Sequence, residues 1–224
     1  MVQRGTVVSG APDRNFPLLA IYADESCLGN GREGSNPGGA AGVIEYVHPH
    51  SGRLTRWDYW ISEPATTNNR MALWSVIQAF RGISKKGSKF RVTFTSDSQY
   101  LVKGMSEWVF GWMSRGWKKK DGPLLNAELW MDAVEAVRGH QVCWKWVRGH
   151  EGHPQNEYAN FLATRAARDL SKADGIVAST FDEWLAEERK GGRVTVEPEA
   201  FPTSTGFRAL RPYPMAMRPL MEEG

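Results

Sequence analysis

The segment Thr66-Thr67-Asn68-Asn69-Arg70-Met71-Ala72-Leu73 marks the start of a helix and decides the fold. Asn68 or Asn69 can serve as its N-cap, because a short polar side chain accepts a hydrogen bond from an unpaired N–H of the first turn. The apolar residues that follow recur every third position and form one face of the helix: Met71, Trp74, Ile77 and Phe80. The pattern predicts an amphipathic helix that packs against a sheet and ends near Gly82.

Short apolar or alternating runs on either side of this helix predict five strands. Three strands precede the helix and two follow it, at residues 18–23, 40–47, 56–61, 89–96 and 141–147. A further helix is predicted to start after Asp97, and two more are predicted at residues 125–138 and 156–170. The order β-β-β-α-β-α-α-β-α indicates an α/β fold with a five-stranded mixed sheet. Three antiparallel strands are followed by parallel additions, and helices flank the sheet.

The rest of the chain is predicted to form appendages on one globular domain. Its divisions are a loose N-terminal arm, the domain, a linker, a docking helix and a Pro-rich tail: residues 1–16, 17–170, 171–180, 181–190 and 191–224. The docking helix has apolar residues on one face and acids on the other. The tail has no helical or strand period and is expected to be irregular.

Composition narrows the class of protein. The 224 residues are 41% hydrophobic and 24% charged, which is ordinary for a globular protein, and a net charge of +3 does not by itself indicate nucleic-acid binding. Cys27 and Cys143 are too few for a disulfide framework, so any metal is expected on oxygen ligands. No apolar run is long enough to span a membrane, and no secretory signal precedes the domain. We therefore expect a cytoplasmic monomer without membrane association.

Two aspartates follow predicted strands at the point where each strand ends. Asp24 follows the first strand and Asp97 follows the fourth. Neighbouring strands lie about 4.8 Å apart, so carboxylates at matching ends can share a divalent cation. The alternative is that each aspartate caps a turn.

Four ordered motifs together resemble the type 1 ribonuclease H family. Besides residues 66–73, which resemble T-T-N-N-R-M-E-L, they are residues 23–30, 95–100 and 146–157. The resemblance covers residues 18 to about 170 and implies a ribonuclease H-like fold. It also implies divalent-metal-dependent cleavage of the RNA strand of RNA–DNA hybrids, with Mg²⁺ or Mn²⁺ as the cofactor.

Two of the four metal-binding carboxylates of that family are replaced in this chain. Asp24 and Asp97 match family aspartates, whereas the family glutamate matches Ala72 and its last aspartate matches Asn160. Asn160 can still offer a carbonyl oxygen to a cation.

Glu25 and Glu151 stand where the family lacks acids and are candidates to complete the metal site. On a regular strand Glu25 points away from Asp24, so this role requires the backbone to turn there. The alternative is that both glutamates are solvated surface acids.

The resemblance also assigns the remaining candidate residues. His150 matches a histidine that assists proton movement. Four residues match family residues that contact the minor groove and the RNA 2′-hydroxyls: Asn30, Asn68, Asn69 and Gln99. Thr67 and Asn126 match a pocket for a DNA phosphate. Trp117, Lys118 and Lys119 match a basic protrusion, although the tryptophan is also a candidate core residue and the lysines a solvated turn.

The leading hypothesis is an RNA–DNA hybrid endonuclease with a non-standard carboxylate set. The rival hypothesis is a pseudo-nuclease that binds hybrids without cutting them, or that binds a protein partner through residues 181–224. The replacement of the family glutamate by Ala72 motivates this alternative.

Overall fold

The computed structural model describes residues 15–29, 36–149 and 152–214. Three of the predicted site residues, Asn30, His150 and Glu151, lie outside these ranges. Most of the predicted N-terminal arm and the last ten residues of the tail do so as well.

A six-stranded mixed sheet forms the centre of the protein, in the order β5-β4-β1-β2-β3-β6. Its strands are β1 (Leu18–Cys27), β2 (Gly38–Val47), β3 (Leu54–Glu63), β4 (Arg91–Ser96), β5 (Gln141–Trp146) and β6 (Val177–Ala178). The first three strands pair antiparallel, and β4 and β5 are parallel to β1. The predicted mixed sheet is confirmed. The sixth strand, β6, was not predicted, because a strand of two residues within the predicted linker is too short to show periodicity. It pairs with the outer edge of β3.

Within the described residues, six α-helices flank the sheet: α1 (Asn68–Ile83), α2 (Gln99–Lys103), α3 (Val109–Ser114), α4 (Ala127–Val137), α5 (Pro154–Asp169) and α6 (Phe181–Lys190). A π-helical turn joins α2 to α3. The prediction that Asn68 or Asn69 caps α1 is wrong. Thr67 has the extended backbone of a cap residue, and its side chain accepts a hydrogen bond from Arg70 N.

Central strand β1 is buried on both faces because helices cover both sides of the sheet. Leu19, Ile21 and Ala23 pack into the cluster formed with α1 and α4. Ala20 and Tyr22 pack into the opposite cluster with α5 and α6. Side chains therefore alternate between an α1 face and an α5 face along β1, and this alternation continues into the acidic residues at its end.

Helix α5 packs very closely on strand β2. A Cβ atom added at Gly39 would lie 2.1 Å from the carbonyl oxygen of Ala163. Only glycine therefore fits at this contact, which holds the second half of α5 against β2 beside Ser26, near the end of β1.

The tail contains no helix or strand from residue 191 to residue 214, yet it packs along the domain. Val194 and Phe207 are buried. Leu210 N donates a hydrogen bond to Val142 O of β5 at 2.8 Å, and Trp144 Nε1 donates to Tyr213 Oη at 2.8 Å. This part of the tail thus covers the outer edge of β5, which would otherwise present unpaired backbone groups.

Candidate active site

Three carboxyl groups converge at one end of the sheet. Oxygen atoms of Asp24, Glu25 and Asp97 all lie within 4.8 Å of one another. Two of these residues lie near the end of β1, which continues to Cys27, and the third follows β4 directly. The chain therefore concentrates negative charge where two parallel strands end.

The strand register explains how adjacent residues on β1 reach the same point. Pairing between β1 and β4 stops at Ala23 and Ser96, whereas β1 continues to pair with β2 as far as Cys27. The β4-side edge of β1 is therefore open from Asp24 onward, and Asp97 occupies the space beside it. The expectation that the backbone must turn at Glu25 is wrong, because β1 stays regular and β4 ends first.

Asp24 and Glu25 point to opposite faces of the sheet and meet around this open edge. Asp24 lies on the α5 face and is only 6% exposed. Glu25 follows Ala23 on the α1 face and hydrogen-bonds Ser98. Burial raises the pKa of Tyr59 on that face, and the charge of Glu25 adds to this shift. Glu25 N also donates to Asp24 Oδ1 at 2.7 Å, which fixes the Asp24 carboxyl group.

Ala72 belongs to the hydrophobic core and offers no ligand. It is fully buried in the first turns of α1, in the same cluster as Ala23. The α1 face of the sheet nevertheless carries a carboxylate, because Glu25 supplies it from β1.

Asn160 lies on the side of α5 that faces the end of β1. One turn before it, Asn156 Nδ2 donates to Ala23 O at 3.3 Å. One turn after it, Thr164 Oγ1 donates to Ser26 Oγ at 3.1 Å. The half-buried Asn160 side chain therefore lies on the face of α5 directed at Asp24 and Glu25.

Sequence reasoning missed Asn156 as a residue of the site. Its side chain is buried and hydrogen-bonds the Asp24 carboxyl group as well as the Ala23 carbonyl oxygen. The sequence did contain a signal, since Asn156 lies within the family-like motif at residues 146–157.

The electrostatics of the cluster favour protonation when no cation is bound. Burial and the neighbouring Asp97 carboxylate raise the pKa of Asp24 to about 8. Burial and the charges of Asp24 and Asp97 raise the pKa of Glu25 as well. Both shifts mean that the surroundings supply too little positive charge for ionised carboxylates. A divalent cation with oxygen ligands fits this donor set.

Two contacts fix Asp97 from the end of β5. Trp146 Nε1 donates to Asp97 O at 2.9 Å. Gly149 approaches so closely that a Cβ atom there would lie 2.3 Å from Asp97 Oδ2. The connection after β5 therefore limits the positions open to the Asp97 carboxylate.

The predicted substrate residues border the cluster. Gln99 is exposed at the start of α2, two residues after Asp97. Asn69 is exposed at the start of α1, whereas the buried Oδ1 atom of Asn68 finds no hydrogen-bond partner among the described residues. The start of α1 lies near β1, because Thr66 and Cys27 both contact the position of Gly38.

The remaining predicted substrate residues lie farther along this surface. Asn126 Oδ1 accepts a hydrogen bond from the side chain of Arg70 in α1. The backbone N–H of Arg70 donates to the exposed Thr67, so Arg70 links the two predicted phosphate-binding residues. Lys118 and Lys119 are exposed. Trp117 is only 6% exposed and packs in the core, so the structure favours its interpretation as a core residue beneath the lysines.

The family model for RNase H matches residues 17–168. The chain belongs to the ribonuclease H family. The ribonuclease H of Pelobacter propionicus is 38% identical over 166 residues, which cover 74% of this chain and 94% of the relative. That of Cupriavidus metallidurans is 42% identical over 154 residues, 68% of this chain and 97% of the relative. Like other members, this ribonuclease H depends on divalent metal, and its acidic cluster fits that requirement.

Solved structures support the same assignment. LC9-RNase H1, described as a type 1 RNase H with the type 2 active-site motif, is 55% identical and has a TM-score of 0.82. The match covers 91% of this chain and 98% of LC9-RNase H1, so it extends beyond the residues matched by the family model. A foamy viral protease-reverse transcriptase in complex with RNA/DNA hybrid is 18% identical with a TM-score of 0.57 and covers 75% of this chain and 22% of its own, which shows the fold alone. Among the described residues of this ribonuclease H, no helix combines the length and apolar character that crossing a membrane requires.

Divalent cations are expected to stabilise this ribonuclease H more at alkaline than at acidic pH. The pKa of Asp24 is raised from 3.8 to about 8, so the unfolded chain releases this proton at lower pH than the folded protein. In EDTA the Tm should fall as pH rises between about 4 and 8. Mg²⁺ or Mn²⁺ should restore it, with a larger gain at about pH 9 than at about pH 5, where protons compete. Thermal unfolding with and without metal measures both effects.

The variant Asp24→Asn provides the control for this experiment. It removes one of the two carboxyl groups whose pKa is raised and should reduce both the pH dependence and the metal effect. A metal-induced rise in Tm that is equal at both pH values in the wild type would contradict the assignment of the cation to this cluster.

Gly149→Ala is expected to impair the site without unfolding the protein. The added methyl group occupies space now held by the Asp97 carboxylate, and a displacement of about 1 Å can cost roughly 100-fold in rate. Mn²⁺ affinity by calorimetry and ribonuclease H activity should both fall. Gly111→Ala is the matched control, because its Cβ would meet only the flexible Arg115 side chain, at 3.3 Å. Equal activity of the two variants would show that the Gly149 contact is unimportant.

Proposed function

We propose that this protein cleaves the RNA strand of RNA–DNA hybrids with an active site formed by Asp24, Glu25, Asp97 and Asn160. The observation that supports it is the convergence of the three carboxyl groups within 4.8 Å. The family is one of endoribonucleases that act on RNA–DNA hybrids, and this chain spans nearly the full length of its relatives. The endonuclease is therefore favoured over the pseudo-nuclease that binds without cutting.

Glu25 is proposed to supply the carboxylate that the family carries at the position of Ala72. Ala72 on α1 packs on the same face of the sheet to which Glu25 points from β1. A carboxylate from β1 can therefore bind a cation on that face. LC9-RNase H1 supports this proposal, because a chain 55% identical to this one is a type 1 enzyme with the type 2 active-site motif. A catalytic set that departs from the ordinary type 1 set thus has a precedent in a closely similar protein.

Mg²⁺ or Mn²⁺ is the proposed cofactor. The three carboxylates and the Asn160 carbonyl would hold it, since hard oxygen ligands suit these cations. Bound cations would polarise the scissile phosphate and lower the pKa of the attacking water. Asn156 and the Glu25 backbone hold the Asp24 carboxyl group, and Trp146 holds the backbone of Asp97. The products are a 3′-hydroxyl and a 5′-phosphate, and His150 is proposed to assist the proton transfers.

Recognition of the hybrid is proposed to involve the starts of α1 and α2. Amide groups of Asn68, Asn69 and Gln99 would read the minor groove, where the RNA 2′-hydroxyl distinguishes RNA from DNA. The exposed side chains of Asn69 and Gln99 are accessible to such a hydroxyl. Thr67 and Asn126 would bind a phosphate of the DNA strand, and the exposed Lys118 and Lys119 would neutralise others.

Substitution of any one of the three carboxylates is expected to abolish cleavage. A labelled RNA–DNA hybrid is incubated with the full chain in Mg²⁺ and, separately, in Mn²⁺. Asp24→Asn, Asp97→Asn and Glu25→Gln should each lower kcat by roughly 100-fold or more, because each removes charge that positions the cation. Glu135→Gln, an exposed change on α4, is the matched control and should leave the rate unchanged.

The outcome for Glu25→Gln decides whether this glutamate belongs to the site. Cleavage at the wild-type rate would mean that Asp24 and Asp97 suffice. If the wild type cleaves in neither metal but still binds the hybrid, the protein is the binding-only alternative.

Restoring the family glutamate is not expected to increase activity. Ala72 is fully buried, so Ala72→Glu inserts a charged side chain into packed core beside an existing carboxylate. Thermal unfolding should show a lower Tm, and the cleavage rate should not rise. Ala72→Gln has the same size without the charge and separates packing from repulsion. A rise in kcat of more than roughly tenfold would show instead that the natural site is attenuated and that Glu25 does not replace the missing ligand.

A further inference from the structure

Glu199 of the tail makes contacts with both sides of the connection between β5 and α5. Its carboxylate forms an ion pair with Lys145 Nζ, near the end of β5. The same carboxylate lies 2.8 Å from His153 Nε2, the residue that precedes α5. Hydrogen bonds from His153 and Lys145 lower the pKa of Glu199 to about 2, so the group is ionised at neutral pH. It lies beyond residues 17–168, which the family model matches.

The backbone at Glu199 is fixed by Gln155. The fully buried Gln155 side chain donates from Nε2 to Glu199 O at 2.9 Å and accepts from Glu199 N through Oε1 at 3.0 Å. This pair of hydrogen bonds joins the tail to the first turn of α5. The carboxylate of Glu199 is thereby presented to His153 from a defined position.

Glu199 determines which nitrogen of His153 carries the proton. His153 is the N-cap of α5, and its Nδ1 atom accepts a hydrogen bond from Asn156 N at 3.4 Å. A nitrogen that accepts from an N–H is unprotonated, so the proton of the neutral ring resides on Nε2. Nε2–H then donates to the carboxylate, which can only accept. The contact with Glu199 thus favours the tautomer that caps the helix.

The residues that Glu199 holds are in direct contact with the Asp24 segment. The His153 ring packs on Tyr22, with 5.4 Å between ring centroids, two residues before Asp24. Asn156, whose N–H is capped by His153, hydrogen-bonds Ala23 O and the Asp24 carboxyl group. On the other side of the connection, Gly149 lies against Asp97. Asp97 is therefore contacted by the connection that Glu199 holds at its two ends, and Asp24 is contacted by the first turn of α5, which follows that connection.

We propose that Glu199 is a positioning residue of the active site. It joins Lys145 to His153, fixes the capping tautomer of His153, and so holds Asn156 against Asp24. The kinetic part of this inference rests on the proposed ribonuclease H activity, whereas the effects on His153 and on cation binding do not.

The test compares full-length Glu199→Ala and Glu199→Gln with Glu197→Gln as the matched control. Glu197 lies two residues earlier in the tail and pairs with Arg189 at the surface, where its side chain is 82% exposed. Nitrogen NMR of the imidazole reports the His153 tautomer, calorimetry with MnCl₂ measures cation affinity without nucleic acid, and steady-state cleavage of an RNA–DNA hybrid separates kcat from KM.

Glu199→Ala is expected to mix the His153 tautomers, to weaken Mn²⁺ binding roughly tenfold and to lower kcat by a similar factor, as supporting residues of metal sites commonly do. The KM for the hybrid should stay within about twofold, because the tail residue does not contact the proposed hybrid surface. Glu197→Gln should match the wild type in every measurement.

The proposal is overturned if Glu199→Ala matches Glu197→Gln in tautomer, Mn²⁺ affinity and kcat. If Glu199→Ala does not fold, Glu199→Gln decides through Mn²⁺ affinity and kcat. It keeps an oxygen that can accept from His153 Nε2–H but loses the charge paired with Lys145, so both values should fall below those of Glu197→Gln, and equal values would overturn the proposal. A wild type that binds Mn²⁺ without cleaving hybrids would refute the proposed function. In that case the tautomer and the Mn²⁺ affinity still decide the role of Glu199.

Discussion

Repulsion among three carboxylates is the constraint on which the rest of this structure depends. Asp24, Glu25 and Asp97 lie within 4.8 Å of one another, and the pKa values of the first two are raised. Groups held this close favour the unfolded chain once they ionise, so the surrounding fold must keep them together against their charge. The core on both faces of β1 supplies that rigidity. A divalent cation converts the same repulsion into binding energy, which makes the cluster a site and not only a source of instability.

The proposed relocation of one carboxylate from α1 to β1 would change how the site is supported. A glutamate on α1 would be held by the helix, whereas Glu25 is held by the strand that also carries Asp24. Two of the three acids thus share a single backbone segment, whose geometry is fixed by pairing with β2 through Cys27. The start of α1 then serves packing at Ala72, and its polar residues are those proposed to contact substrate.

The sequence was informative where local patterns decide structure and uninformative where distant segments meet. The predicted end of the fourth strand at Ser96 agrees with β4, but the first strand was predicted to end at residue 23. Asp24 and Glu25 meet because β1 continues to Cys27, beyond the end of β4, and no local pattern indicated this extension. The cap of α1 was misassigned because Thr67, Asn68 and Asn69 are all acceptable cap residues, and only the backbone geometry selects Thr67. Strand β6 has two residues and exists only because β3 offers an open edge.

The tail was the hardest element to predict, and its contacts show why it belongs to the folded unit. The buried guanidinium of Arg91 donates from Nη2 to Ser204 Oγ at 3.1 Å, and Phe207 lies beside it. Leu210 then bonds to the edge of β5, and Glu199 bonds to residues around the start of α5. Each contact joins residues far apart in sequence, so periodicity carries no trace of it. Because these contacts cover a buried charge, a strand edge and a helix N-terminus at once, the irregular tail is coupled to the order of the sheet and of α5 that positions the carboxylates.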